Sequence, residues 1–381
     1  MKLETKEDVR EAFKICRKNY TEANKKLAFK CIQRAKWLKD PELEFDARDS
    51  FIAQAVFLNY KEEAISMFAK QIEYADSREL KFSQQLILLW SYKWIMSALP
   101  SFSDIPKERI DNIFTDFETR INNSRWPGKT VVFYKGYLAY SMGRPEEALK
   151  LQEKLEIGTS RDVMDDCKAC QIDGSLDLLI DMGQYGRVEK LVEPIVAGEL
   201  TCKDVPRRTY SKLVKLYYLK GNWEMAEKYD ALAKKDMDEK LFKSGSYARM
   251  LPFWGISKKF IRGIEVIPHQ LTFITERVSA LRKFNFYLAC TLFFRAMKLY
   301  DEQWTSLNIN LSDRESSDVL ILNDSGQYGT ESLETWFRSM ATKRAKKLDT
   351  RNGNSFYIDK MHKESQTFDE QLEQYRKNEA P

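Results

Sequence analysis

A helical hairpin that recurs along the middle of the chain constrains the fold more than any other sequence feature. Its three copies centre on Gly143, Gly183 and Gly221. In each copy, large apolar residues at helical spacing precede the glycine, and a second amphipathic run follows it. Glycine adopts the left-handed conformation that ends a helix, so each copy predicts two helices joined by a tight turn. The copies span 137–155, 176–196 and 213–235.

The fifth residue after each glycine is small or apolar: Ala148, Val188 or Ala226. A small residue here lets the second helix approach the first closely. A degenerate earlier copy at 57–72 places Ala64 at the same position, 84 residues before Ala148. The three glycines are 40 and 38 residues apart, which is longer than the repeat of about 34 residues in a tetratricopeptide (TPR) array. The spacing predicts TPR-like hairpins with lengthened helices or loops.

Two later segments, 250–271 and 277–300, predict a further eroded hairpin and a long helix. The hydrophobic content of 43%, with only 15 Gly and 10 Pro, also favours helices over a turn-rich β-fold. We therefore expect an all-α chain, a right-handed α-solenoid of about six TPR-like hairpins, with a period of about 38–42 residues. This solenoid is expected to cover residues 1–305.

The pattern changes after the solenoid. Residues 306–330 are polar and lack a helical period, so they predict a loop with one short extended piece, VLIL. From Thr330 onward, helical periodicity returns and continues to an RNGN turn, where Gly353 suits a left-handed cap. A last charged helix is expected at about 356–377. Residues 331–381 should thus form C-terminal helices that cap the solenoid.

Charge and hydropathy exclude several protein classes. A net charge of +5 is spread over 62 basic and 57 acidic residues, so no overall field favours a nucleic acid or membrane partner. The N-terminus is charged and amphipathic, which predicts no signal peptide, and the apolar runs are too short to span a membrane. We expect a cytoplasmic protein with reduced cysteines.

Three cysteines are the candidate chemical site. Cys167 and Cys170 form a C-x2-C pair, and Cys202 follows after 31 residues. Each group precedes the first helix of a hairpin, and equivalent ends of stacked hairpins are neighbours, so the thiols are expected to converge. A structural zinc site needs four N or S ligands, and no fourth ligand is evident. Packing of small thiols is the favoured interpretation, while zinc binding and redox chemistry remain open.

Two blocks carry a family resemblance. One runs from DDCKAC to TYSKLV (165–214), and the other combines WF (336–337) with LDTRNGN (348–354). These blocks resemble a largely uncharacterised group of TPR-like proteins from Gram-positive bacteria, and the resemblance implies a match over at least 160–355. It carries no activity. Relatives commonly have a histidine shortly after the third cysteine, where this chain has Arg207 and Arg208.

Catalytic signatures are missing from the sequence. The two histidines, His269 and His362, lie in no motif with a nucleophile, and no phosphate-binding glycine loop occurs. The basic run at 342–354 is expected to be a solvated helix face rather than a nucleic acid site. The sequence thus predicts a protein that is not an enzyme and needs no cofactor, zinc aside.

The predicted function is binding of a protein or peptide in the solenoid groove, with part of the aromatic content of 210–300 as anchors. A peptide-sensing regulator of the Rap type and an immunity or adaptor protein for a toxin are two versions of this hypothesis. A thiol-based redox or zinc-dependent sensor is the alternative from a different class.

Overall fold

A computed structural model of the chain describes residues 2–126, 128–156, 163–235, 244–277, 279–308, 311 and 320–379. Within these residues the chain forms 17 α-helices. The prediction of an all-α fold is confirmed. The described residues contain only two short strands, Trp304–Thr305 and Tyr328–Gly329, which pair antiparallel. The helices are α1 (Lys6–Lys18), α2 (Glu22–Trp37), α3 (Pro41–Phe57), α4 (Lys61–Asp76), α5 (Phe82–Ala98), α6 (Lys107–Asn122), α7 (Lys129–Ser141), α8 (Pro145–Glu156), α9 (Lys168–Asp181), α10 (Tyr185–Val196), α11 (Arg207–Leu219), α12 (Trp223–Lys235), α13 (Ser244–Ile256), α14 (Phe260–Arg277), α15 (Ala280–Leu299), α16 (Thr330–Asn352) and α17 (Phe356–Glu379).

The three predicted glycine turns are present and share one geometry. Gly143, Gly183 and Gly221 are left-handed, with φ of 76°, 69° and 67°. In the second turn, the backbone N–H of Gln184 donates to the carbonyl of Leu179 at 2.8 Å, and the other two turns make the same bond. This bond satisfies a carbonyl that the end of the helix would otherwise leave without a partner.

The same turn also occurs without glycine. Asn59 and Lys258 are left-handed, with φ of 67° and 58°, and the residue after each donates to the carbonyl five residues before it. These turns join α3 to α4 and α13 to α14, and they lie in the two segments predicted as degenerate copies. Ala64, in the position of the small residue, is fully buried.

The described residues divide into two compact units. Unit 1 comprises residues 1–101, 105–138 and 153–165. In it, α3 packs against α2, α4 and α5. The core contains the rings of Phe68, Tyr92 and Phe117, with centroids 4.7 Å apart for the first pair and 5.5 Å for the second. Aromatic pairs at these distances add to the stabilisation from burial.

Unit 2 comprises residues 102–104, 139–152 and 166–381. Its central helix is α15, which packs against α13 and α16. The WF pair identified in the sequence lies in this core: Trp336 is 6.3 Å from Tyr287 and Phe337 is 5.4 Å from Phe294, between ring centroids. The WF motif therefore has a packing role.

The turn between α16 and α17 follows the sequence prediction. Helix α16 begins at Thr330 and is ended by Gly353, with φ of 73°. The carboxylate of Asp349 accepts hydrogen bonds from the backbone N–H groups of Tyr357 and Ile358 at 2.9 and 3.0 Å, and so caps the first turn of α17. The acidic, asparagine and glycine residues of LDTRNGN thus build this turn.

The predicted loop at 306–330 lies in part outside the described residues, which omit 309–310 and 312–319. Of the extended piece VLIL, Leu322 forms an antiparallel bridge with Tyr328, and Val319 is outside the described residues. The division into 1–305, 306–330 and 331–381 remains a prediction. No helix in the described part of the chain combines the length and apolar character that crossing a membrane requires.

Candidate functional site

Helix α9 begins at the first two candidate cysteines. Cys167 is its N-cap, and its sulfur accepts a hydrogen bond from the backbone N–H of Cys170 at 3.4 Å. N-cap positions normally carry an oxygen acceptor from Ser, Thr, Asp or Asn. Here a thiol takes that role, at the end of the helix where the macrodipole favours negative charge.

The third cysteine lies in the loop between α10 and α11. The backbone N–H of Cys202 donates to the carbonyl of Val205 at 3.0 Å, which folds the loop back on itself. Burial opposes ionisation of Cys202, but hydrogen bonds from the backbone of Asp204, the thiol of Cys170 and the backbone of Val205 together lower its pKa. The loop therefore presents backbone donors to the sulfur.

The three sulfurs converge. The Sγ atoms of Cys167, Cys170 and Cys202 all lie within 4.8 Å of one another. The Sγ atoms of Cys170 and Cys202 are 3.2 Å apart, and all three thiols are free and half-buried. Burial raises the pKa of Cys170, and its contacts with the two other sulfurs raise it further. Hairpin stacking thus brings together the residues that the sequence singled out.

An apolar floor supports this thiol cluster. Ala169, Ile195 and Val205 are buried together beneath the three cysteines. Within the described residues, no histidine or carboxylate joins the cluster at the spacing that its sulfurs share. Arg207 pairs with Asp204 at 2.7 Å, and Arg208 pairs with Asp173 at 2.5 Å. The arginines that stand near the histidine position of the relatives are therefore bound to aspartates.

An acidic ladder runs along one face of α9. Asp173, Asp177 and Asp181 are four residues apart and therefore share a face. The guanidinium of Arg249 donates to both carboxylate oxygens of Asp177 at 2.7 Å. Burial alone would raise the pKa of Asp177, but the charges of Arg249 and Lys212 hold it well below its usual range. The spacing of four residues is the sequence signal that could have revealed this row of aspartates. Their cationic partners lie on helices that are distant in sequence, so no local pattern indicates them.

The C-terminal helix α17 covers the end of this ladder. Lys360 pairs with Asp181, and Glu364 pairs with Lys215 of α11 at 2.9 Å. The hydroxyl of Tyr357 donates to the carbonyl of Ser141, the last residue of α7, at 2.7 Å. Helix α17 thus covers the C-terminal ends of the first helices of successive hairpins. Its buried apolar residues are Tyr357, Met361, Phe368 and Leu372.

The aromatic residues of 210–300, part of which were expected to line an open groove, are mostly core residues. Tyr210 and Trp223 are half-buried, and the rest of the set is buried: Tyr217, Tyr218, Tyr247, Phe253, Trp254, Phe284, Phe286, Phe293, Phe294 and Tyr229. Trp223 also packs edge-to-face on Tyr375 of α17, with ring centroids 5.0 Å apart. In unit 2, these aromatics therefore pack inside the chain itself.

An aromatic row with one exposed and two half-buried residues occurs instead in unit 1. The rings of Tyr20 and Phe57 stack at 4.2 Å, and Trp94 meets Phe57 edge-on at 5.7 Å. Phe57 remains 45% exposed. It is the last residue of α3 and precedes the left-handed Asn59 by two, as Asp181 precedes Gly183. The equivalent helix end in unit 2 lies under α17. We call Tyr20, Phe57 and Trp94 the aromatic row.

Comparisons with known proteins add no identification. No protein-family model matches the chain, and no curated protein matches it significantly.

Proposed function

We propose that the protein is a non-enzymatic, cytoplasmic scaffold that binds a helical segment of a protein partner through the aromatic row of unit 1. The observation that carries this proposal is the equivalence of two helix ends. In unit 2 the end of α9 at Asp181 is covered by a helix, whereas in unit 1 the end of α3 at Phe57 is exposed and aromatic. Helical-repeat proteins bind helices on surfaces of this kind.

The recurring left-handed turns support the finer architectural proposal, a right-handed TPR-like solenoid of bacterial type. Within the described residues, eight turns share the left-handed residue and the bond that closes the turn, at Lys39, Asn59, Gly143, Gly183, Gly221, Lys258, Asp301 and Gly353. Repetition of one supersecondary unit is the basis of such arrays.

The chemistry of the partner follows from α17. This helix uses apolar residues at positions 357, 361, 368 and 372 on one face and ion pairs beside them. The partner of the aromatic row should be an amphipathic helix with large apolar side chains three, four or seven residues apart. Aromatic anchors such as Phe57 and Trp94 contribute more than their share of binding energy when a partner excludes water from them.

A photo-crosslinking experiment tests the proposal. The substitution Phe57→p-benzoylphenylalanine, made in the native host, should crosslink a protein that Trp37→p-benzoylphenylalanine does not. Trp37 is a matched control because it is 68% exposed on α2 and lies outside the aromatic row. Titration calorimetry with the purified partner should then show binding at least about tenfold weaker for Phe57→Ala and Trp94→Ala, and unchanged for Trp37→Ala.

Two results would contradict the proposal. One is a partner whose affinity is insensitive to both substitutions in the aromatic row. The other is turnover of a small molecule by the purified chain. The identity of the partner separates the versions of the hypothesis, since an exported peptide indicates a peptide-sensing regulator and a toxin indicates an immunity or adaptor protein.

A second candidate function, thiol-based redox or zinc-dependent sensing, is favoured by the convergence of Cys167, Cys170 and Cys202. A sensor must change state with conditions. Its test is a loss of partner binding when the thiols are oxidised or a bound metal is removed, with full recovery on reversal.

A further inference from the structure

The thiol cluster joins two consecutive hairpins. Cys167 and Cys170 open α9, whereas Cys202 lies in the loop that leads into α11. The three sulfurs lie within 4.8 Å of one another although Cys202 is 32 residues from Cys170. Whatever occupies the space between the sulfurs thus fixes the start of one hairpin to the start of the next.

A backbone donor contacts the sulfur of Cys167. The N–H of Cys170 donates to the sulfur of Cys167 at 3.4 Å. Hydrogen bonds to sulfur stabilise its charged form and are the outer-shell contacts that metal thiolates require.

The number of sulfurs separates a metal from a disulfide. A disulfide between Cys170 and Cys202 would use only two thiols and would leave out the sulfur of Cys167, which lies within 4.8 Å of both. A tetrahedral Zn²⁺ with Zn–S bonds of about 2.3 Å separates its sulfurs by about 3.8 Å. The observed sulfurs, one pair at 3.2 Å and all pairs within 4.8 Å, surround that value.

We infer that Cys167, Cys170 and Cys202 bind one Zn²⁺ as thiolates, with a water molecule in the fourth position. The three residues are half-buried, so solvent reaches the cluster from one side. Within the described residues, no histidine, carboxylate or further cysteine joins the three sulfurs at comparable distance. Binding releases the thiol protons to solvent, since each bound sulfur must be deprotonated.

Elemental analysis tests the inference directly. The full-length chain, purified under reducing conditions without added metal, should contain about one zinc per chain. Exchange of zinc for Co²⁺ should give intense visible bands of tetrahedral geometry and sulfur-to-cobalt charge-transfer absorption in the near ultraviolet. Because cobalt spectra distinguish thiolate from oxygen ligands, this measurement identifies the donors as well as the stoichiometry.

Matched variants assign the ligands. Cys202→Ser should lose most of the zinc and the charge-transfer absorption. The triple variant Cys16→Ala, Cys31→Ala, Cys290→Ala should retain both, because these three cysteines are buried away from the cluster. Far-ultraviolet circular dichroism checks that each variant is folded. If Cys202→Ser does not fold, release of zinc from the wild-type chain by a thiol-specific reagent replaces it.

Several outcomes would overturn the inference. They are a reduced wild-type chain that carries no zinc and gives no charge-transfer absorption with Co²⁺, iron in place of zinc, zinc content unaffected by Cys202→Ser, and a Cys170–Cys202 disulfide in protein alkylated at the moment of lysis.

Discussion

Two glycines at the same position of equivalent turns provide a test of how α17 packs on the chain. Gly143 and Gly183 have φ of 76° and 69°, so alanine is strained at both. The left-handed conformation costs a non-glycine residue about 1–2 kcal/mol. Alanine also reduces the entropy of the unfolded chain, which offsets about 0.4–1 kcal/mol. Gly183→Ala, whose new Cβ meets nothing within 4 Å, should therefore destabilise by only about 1 kcal/mol.

Gly143→Ala carries a second cost. The new Cβ would lie 2.6 Å from the Cβ of Phe356 and 2.7 Å from the Nδ2 of Asn354, at the start of α17. That amide donates to the carbonyl of Met142 at 2.9 Å, and a shift would break this bond. Overpacking costs about 1–3 kcal/mol and a lost hydrogen bond about 1 kcal/mol. We expect Gly143→Ala to be about 2–3 kcal/mol more destabilising than Gly183→Ala.

Urea unfolding, followed by circular dichroism, measures both variants. The midpoints give the difference in unfolding free energy, provided that the m-value is unchanged. Hydrogen exchange of α17 locates the effect: Gly143→Ala should accelerate exchange at its N-terminal turns, and Gly183→Ala should not. Equal losses of stability, or unchanged exchange in α17 for both variants, would refute the claim that α17 rests on the Gly143 turn.

Three further predictions concern buried charge and the thiol cluster. Asp181→Asn leaves Lys215 and Lys360 without their shared carboxylate, so thermal unfolding should reveal a loss of about 3 kcal/mol. Burial raises the pKa of Asp49 from 3.8 to about 6 despite a hydrogen bond from Ser91, so wild-type stability should fall as pH rises from about 4 to 6, by up to about 3 kcal/mol. Asp49→Asn should remove this fall in urea titrations across that range, and an unchanged pH profile would count against the burial of this carboxylate. A zinc chelator should lower the melting temperature of the wild-type chain but not of Cys202→Ser, and equal shifts would indicate that the chelator acts elsewhere.

The sequence predicted four of the turns in which the left-handed residue is glycine, at Gly143, Gly183, Gly221 and Gly353. Gly143, Gly183 and Gly221 each interrupt a stretch of helical periodicity. A glycine at such a point is a turn signal that can be read from the local sequence. Asn59 and Lys258, each between two paired helices, adopt the same conformation at φ of 67° and 58°. Non-glycine residues remain in this conformation because packing of the two helices offsets the strain, and such packing leaves no local trace. The copy at 250–271 was therefore visible only as an eroded pattern.

The sequence predicted that the three cysteines of the thiol cluster lie close together. Placing the cysteines at equivalent ends of successive hairpins was sufficient to expect their convergence. The hydrogen bond from the N–H of Cys202 to the carbonyl of Val205 was not predictable, because it depends on how this loop folds back. The packing position of α17 was not predictable either, because it places residue 357 against residue 141. Contacts over such separations follow from the global fold rather than from any motif.

Helix α9 connects these features, because each part of it is held by a different distant element. Its first turn carries Cys167 and Cys170 and is fixed through Cys202, and its last residue, Asp181, is held by α11 and α17. The ladder between them buries carboxylates whose cations come from α11 and α13. Buried ion pairs contribute little net stability but strongly penalise any arrangement that separates them. The ladder therefore specifies the register of α9 against its neighbours, and that register is what brings three thiols, from loops 32 residues apart, to one point.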